Sequence, residues 1–200
     1  MALGAKDLEP RTRLLFHGPS GNGKTSCAAA LATSLGKAAY VVSLSALVQS
    51  YMGTTGANIT KLFKLLHAGH CVVLDEVDAV GGARGGHDAA DRERALTVNV
   101  LLTELDACQG GLLIATTNRP DILDGALLRR FDERVEFPAP TRAQLHELAS
   151  RLRMRFGLPG PAMSWGPEIT SYDAVTKAIK RAARAAALFE LEISDVTAPS

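Results

Sequence analysis

The chain is poor in the features that mark several protein classes. Its 200 residues hold three cysteines, Cys27, Cys71 and Cys108, with no C-x-x-C spacing. That excludes a disulfide framework and fits a reducing compartment, where thiols serve as small apolar residues. Neither sign of charge dominates: 22 Lys and Arg against 21 Asp and Glu leave a net +1. No global basic footprint therefore points to nucleic acid. The five histidines, His17, His67, His70, His87 and His146, show no metal-ligand spacing with cysteine or acids, so no protein-bound zinc site is expected. No apolar run approaches the roughly 20 residues that span a bilayer. The opening MALGAKDLEPR lacks the apolar core of a secretory signal. A soluble, cytoplasmic chain is the expectation. Aromatic residues are scarce at 5%, yet the apolar total of 46% is ample for a core that needs no disulfide or structural metal.

What is present begins with GPSGNGKT, Gly18 to Thr25, which closes the apolar stretch Leu14-Leu15-Phe16 and opens a helical pattern. The pattern G-x-x-x-x-G-K-[ST] arises by chance in about one chain in a hundred of this length. Its place between strand and helix, with VVLDE (Val72–Glu76) downstream, points to a nucleoside-triphosphate hydrolase. Glycines 18, 21 and 23 let backbone N–H groups converge on a polyphosphate, and the following helix adds its N-terminal dipole. The expected cradle comprises Gly18, Pro19, Ser20, Gly21, Asn22, Gly23, Lys24, Thr25 and Ser26, together with Asp75. Lys24 is expected to reach the β- and γ-phosphates of ATP, and Thr25 and Asp75 to hold Mg²⁺, the latter through water. Glu76 is placed to polarise a water toward the γ-phosphate.

Short apolar runs alternate with helical patterns, which predicts an α/β fold with a five-stranded parallel sheet flanked by helices. The predicted strands are Leu14–Phe16, Tyr40–Ser43, Cys71–Asp75, Leu112–Thr116 and Arg134–Phe137. The predicted helices are Thr25–Leu35, Thr60–His67 and Arg92 to about Leu105. The near-continuous apolar character of the third strand and its neighbours predicts cover on both faces. The run Phe137-Pro138-Ala139-Pro140 ends the alternation. Residues 1–138 then form a nucleotide-binding domain and residues 139–200 a small helical lid. In the lid, Thr141 is a candidate N-cap, Leu145, Leu148 and Leu152 share a face, Gly157 ends the helix, and a second helix spans about Ser171–Leu191. The glycine-rich, charged run Gly81–Arg94 reads as a mobile loop.

Beyond the loop and the acidic strand, the chain resembles the AAA family of ATPases over nearly its whole length. LLIATTNRPD (Leu112–Asp121) resembles the family's sensor-1 strand, which implies that Asn118 lies beside the γ-phosphate and the attacking water. LDGALLRRFDERVEFPAP (Leu123–Pro140) resembles its second region of homology, so Arg129 and Arg130 match the arginine-finger positions; the RRF form is closer to katanin- and spastin-like members. In this family the fingers enter the neighbouring subunit's site, which implies a homo-oligomer, usually a hexamer. Tyr51-Met52-Gly53 resembles the pore loop with which protein-remodelling members grip an extended polypeptide, and Gly81–Arg94 would be the second pore loop, with Arg84 and His87 in the channel. Three departures stand out. The glutamate usual after the pore-loop glycine is Thr54, the family's D-G-F run between neighbouring protomers reads Asp106-Ala107-Cys108, and no sensor-2 arginine can be assigned.

The resemblance thus implies a Mg²⁺-ATP-hydrolysing motor that remodels, unfolds or translocates protein substrates, working with an adaptor or a protease. Two other readings stand beside it. One is a nucleic-acid-associated helicase-loader type, to which the basic stripe Lys177, Lys180, Arg181, Arg184 could contribute; net charge and the Tyr51 loop do not favour it. The other is a nucleotide-gated scaffold with incidental turnover, against which Glu76 and Asn118 speak.

Overall fold

A computed structural model describes residues 12–50, 55–80, 89–108, 110–158, 166 and 168–196. Five strands form one sheet: β1 (Arg13–His17), β2 (Ala39–Ser43), β3 (Cys71–Asp75), β4 (Leu112–Thr117) and β5 (Glu133–Glu136). The order is β2-β3-β4-β1-β5 and every pairing is parallel, with Leu15 opposite Ala115 and Val73 opposite Ile114. The α/β class with a five-stranded parallel sheet is the one predicted.

Strand alternation divides the core. Leu15, Val72, Leu74, Leu113 and Ala115 face one side, where they pack with Leu44, Ile59, Phe63, Leu101 and Leu105. Phe16, Cys71, Val73, Leu112 and Ile114 face the other, against Ala28 and Ala32. Those two alanines lie one turn apart on α1 (Lys24–Ser34), and both are fully buried. Their small side chains bring α1 close to the sheet and hold its first residue, Lys24, at the end of β1. The opposite face carries α2 (Leu44–Ser50), α3 (Thr55–His67), α4 (Ala89–Ala107) and the short α5 (Gly125–Leu128).

Several boundaries depart from expectation. Helix α2 was not predicted; its seven residues are too few for a clear period, yet Leu44 is fully buried. Helix α3 begins at Thr55 rather than Thr60. Gly56 lies in the first turn of α3, where an added Cβ would stand 3.4 Å from Val100 of α4. The glycine therefore serves helix–helix approach. Helix α4 starts at Ala89 rather than Arg92, so the end of the expected Gly81–Arg94 loop is helical; residues 81–88 lie outside the described residues. Strand β2, next to β3, is an edge rather than a covered strand, with Tyr40 and Val41 exposed.

The chain divides into two compact units, Met1–Gly18 with Lys24–Phe137, and Pro19–Gly23 with Pro138–Ser200. The second contains α6 (Arg142–Arg155) and α7 (Tyr172–Val196). Thr141 caps α6 in a reciprocal box with Gln144. Leu145 and Ala149 pack on Val175 and Ile179, with Leu148 and Leu152 half-buried beside them.

Candidate nucleotide site

The sheet order places β1, β3 and β4 side by side, and their C-terminal ends deliver three of the predicted segments to one edge. From β1 the chain enters the glycine loop and then α1. Gly18 has φ +138°, and a Cβ there would stand 2.1 Å from the Phe137 carbonyl oxygen, so no side chain fits. Lys24 is 6% exposed, and its Nζ donates to the Gly18 carbonyl and to Asn118 Oδ1, each at 2.7 Å. Burial pushes the Lys24 ammonium below the ordinary lysine range, and the charges of Asp75 and Asp78 oppose that shift.

From β3 come the two acids. Asp75 Oδ1 accepts from Thr25 Oγ1 at 2.9 Å and from Thr116 Oγ1. Glu76 follows in the left-handed region, φ +59° and ψ +51°, alone in positive φ among described non-glycine residues. Its carboxylate accepts from Ser45 Oγ, in the first turn of α2, at 2.5 Å and from Ser43 Oγ, at the end of β2, at 3.4 Å. From β4 come Thr116, Thr117 and Asn118. Lys24, Thr25, Asp75 and Asn118 are thus gathered into one hydrogen-bonded edge, with Glu76 next to it.

The loop tip, Pro19–Gly23, groups with the second unit. There the Asp173 N–H donates to the Gly21 carbonyl at 3.0 Å. Asn22 is 5% exposed; its Nδ2 donates to the Pro138 carbonyl at 3.2 Å, and its Oδ1 has no partner. Pro19 and Ser20 are exposed, as is Ser26 in the first turn of α1.

The two arginines stand apart from this network. Arg130 forms a two-pronged pair with Asp106 at 2.9 and 2.8 Å and donates to the Ala126 carbonyl. Arg129 beside it is exposed. Tyr51, Met52 and Gly53, and Arg84 and His87, lie outside the described residues. On α7, Lys177 is paired with Asp173 at 2.7 Å, while Lys180, Arg181 and Arg184 are exposed. Sequence reading missed Ser45, Asp78 and Thr116. Asp78 had a signal, since it is the third acid in DEVD, but the bonds that tie all three to the site reach residues 31 or more positions away in the chain.

A strand, a glycine loop and a helix opening on Lys-Thr, flanked by an acidic strand and an asparagine strand, define a P-loop nucleoside triphosphatase. The chain belongs to the AAA family of ATPases: the family model described as "ATPase family associated with various cellular activities (AAA)" matches residues 14–139. It is an ATPase by class and binds nucleotide. The chain is 44% identical over 151 residues to the ATP-dependent zinc metalloprotease FtsH of Corynebacterium glutamicum, covering 70% of this chain and 17% of that protein. It is 41% identical over 161 residues to the chloroplastic ATP-dependent zinc metalloprotease FTSH 5 of Arabidopsis thaliana, covering 75% and 22%. The chain spans less than a quarter of the length of these curated relatives. Its fold matches a crystal structure of the FIGL-1 AAA domain in complex with ADP, with TM-score 0.62, 24% identity and coverage of 73% of this chain and 49% of that one. Among the described residues no helix is long and apolar enough to cross a membrane.

Proposed function

We propose that this chain is the motor module of a ring, most simply a homohexamer, that hydrolyses Mg²⁺-ATP to pull on polypeptide. The observation that carries the reading is the joined set at the sheet edge, Lys24 with Asn118 and Thr25 with Asp75. In the proposed site, Lys24 and the backbone from Gly18 to Ser26 grip the phosphates. The Thr25 hydroxyl and Asp75 carboxylate, hard oxygen donors 2.9 Å apart, suit Mg²⁺. When bound, that ion neutralises charge on the phosphate oxygens. Glu76 polarises the attacking water, and Asn118 orients it against the γ-phosphate. Of the arginine pair, Arg129 acts as the finger in the next protomer's site, and Arg130, forked onto Asp106 of its own chain, braces it. Residues 1–138 form the proposed nucleotide-binding domain and 139–200 the lid.

For the work done, the support is the Tyr51-Met52-Gly53 run and the likeness to proteins named ATP-dependent proteases. An aromatic residue followed by an apolar one and glycine offers a sequence-tolerant grip on an extended chain. A protease or adaptor is the proposed partner.

The test is ATPase rate per protomer against protein concentration, with and without an unstructured polypeptide. A finger supplied in trans is worth about 10³–10⁵ in rate. Turnover should therefore climb steeply through the assembly range and rise further with polypeptide. Tyr51→Ala should keep nucleotide binding and lose the polypeptide response. A flat rate per protomer would remove the ring, and an unchanged polypeptide response in Tyr51→Ala would remove the pore loop.

A further inference from the structure

Asn118 is exposed, and an exposed asparagine samples several rotamers unless something holds it. Asp78 faces the loop that carries it. Asp78 lies in the 3-10 turn Val77–Ala79 that follows the acidic strand β3. The turn is pinned on both sides, because Val77 is 2% and Val80 1% exposed in the core. Backbone bonds close it, from Ala79 N–H to Glu76 carbonyl and from Val80 N–H to Val77 carbonyl. The Asp78 carboxylate is therefore carried on a rigid platform.

Its Oδ1 accepts from Thr117 Oγ1 at 2.8 Å and from the Asn118 backbone N–H at 3.4 Å. Thr117 is 1% exposed, and its hydroxyl oxygen also accepts the Arg119 N–H at 3.0 Å. With that lone pair occupied, the hydroxyl proton is directed at Asp78. The carboxylate thus fixes residues 117–119 at the exit of β4, and Asn118 Oδ1 meets Lys24 Nζ at 2.7 Å. We propose that Asp78 is a positioning residue for hydrolysis, acting through the Thr117 hydroxyl and the Asn118 backbone to hold the Asn118 side chain in working geometry. The proposal rests on the reading of Asn118 as a residue that orients the attacking water. Misplacement of such a group by about 1 Å can cost on the order of 100-fold in rate.

The experiment compares Asp78→Ala, Asp78→Asn, Thr117→Val, Thr117→Ser and Asn118→Ala in the assembled protein. It measures kcat and KM for ATP, the Kd of a fluorescent ATP analogue, and thermal midpoints. Asp78→Ala and Thr117→Val should each lower kcat by about 10- to 100-fold and leave KM and Kd within about threefold. Asp78→Asn keeps the acceptor oxygen and Thr117→Ser keeps the hydroxyl, so both should restore most of the rate. The double variant Asp78→Ala/Asn118→Ala should be no slower than Asn118→Ala within about twofold, since both act on one group. Wild-type turnover in Asp78→Ala beside an impaired Asn118→Ala would overturn the proposal alone. So would an Asp78→Asn as slow as Asp78→Ala, which would assign the effect to charge. Wild-type turnover in Asn118→Ala would remove the underlying reading instead. If Asp78→Ala proves too unstable to assay, the Thr117→Val and Thr117→Ser pair decides the matter.

Discussion

At the scale of single residues, Glu76 shows a conflict between stability and chemistry. Left-handed backbone costs a non-glycine residue about 1–2 kcal/mol. The chain nonetheless holds glutamate at φ +59°, with its carboxylate against Ser45 and Ser43. Strain of this kind collects where function requires it. Replacing Glu76 with glycine should relieve the backbone and raise the thermal midpoint by about 2–4 °C, the shift that 1 kcal/mol gives in a domain of this size. Turnover should fall by at least about 100-fold, as expected on loss of the proposed general base. Glu76→Gln, which keeps the strain, should lose the same turnover with no gain in stability. Calorimetry and ATPase rates on the two variants check this; a Glu76→Gly protein no more stable than Glu76→Gln would show that the serine contacts outweigh the strain. The residues gathered at the sheet edge differed in how legible they were. Lys24 and Thr25 could be read because the glycine loop is a local pattern, and Asp75 and Glu76 because they end a continuous apolar strand. Ser45, Asp78 and Thr116 could not, because their meaning lies in bonds to residues 31, 39 and 41 positions away. A single sequence carries no sign of such pairings.

At the scale of elements, the same contrast holds. The bounds of β3 coincide with the predicted ones, since four buried apolar residues and an acid leave little choice. Helix α2 and the early start of α3 were missed, because a seven-residue helix and a glycine used for packing both imitate a turn. Strand β5 is less buried than β3 or β4, and a charged clamp helps fix it. Asp132, the residue before β5, accepts from the Thr12 and Arg13 N–H groups, both at 2.9 Å, and from the Arg13 guanidinium at 2.8 and 3.1 Å. Arg13 also donates to the Leu105 carbonyl near the end of α4 at 3.2 Å, so one side chain ties β1, β5 and α4. Desolvation alone would raise the Asp132 pKa, but the hydrogen bonds from Arg13 and the two backbone N–H groups outweigh it and hold the carboxyl below its ordinary range. A depressed folded pKa contributes stability that is fully present above the unfolded value, about 3.9, and is lost as pH falls through the folded one. Asp132→Asn should accordingly be less stable than wild type at pH 7, and the gap should narrow as pH drops below about 4. Denaturant unfolding of both proteins from pH 7 to pH 3 measures it, and a gap independent of pH would show that the carboxylate charge contributes nothing.

At the scale of the whole molecule, the two arginines separate in role. Arg130 is engaged within its own protomer, forked onto Asp106, whose carboxyl it holds below the ordinary range. Arg129, one residue earlier, is exposed and closes the short helix α5. In the proposed ring, Arg129 is then the side chain ready to enter a neighbouring site, and Arg130 braces the segment that carries it. Arg130 is bonded to Asp106 and to the Ala126 carbonyl, and in the proposed ring each site draws its finger from another copy. Mixing of protomers tests this without knowledge of the substrate. Arg129→Ala keeps Glu76 but offers no finger, whereas Glu76→Gln offers a finger but hydrolyses nothing. Arg129→Ala alone should turn over at no more than about a thousandth of the wild-type rate, and Glu76→Gln alone at no more than about a hundredth. Mixed in equal amounts, a ring with cyclic symmetry gives roughly one site in four an intact Glu76 facing an intact Arg129. ATPase activity should therefore reappear in the mixture, reach its maximum near equal proportions, and fall away when the mixture is diluted below the assembly range. A mixture as inactive as its components would mean that Arg129 acts in its own protomer or not at all.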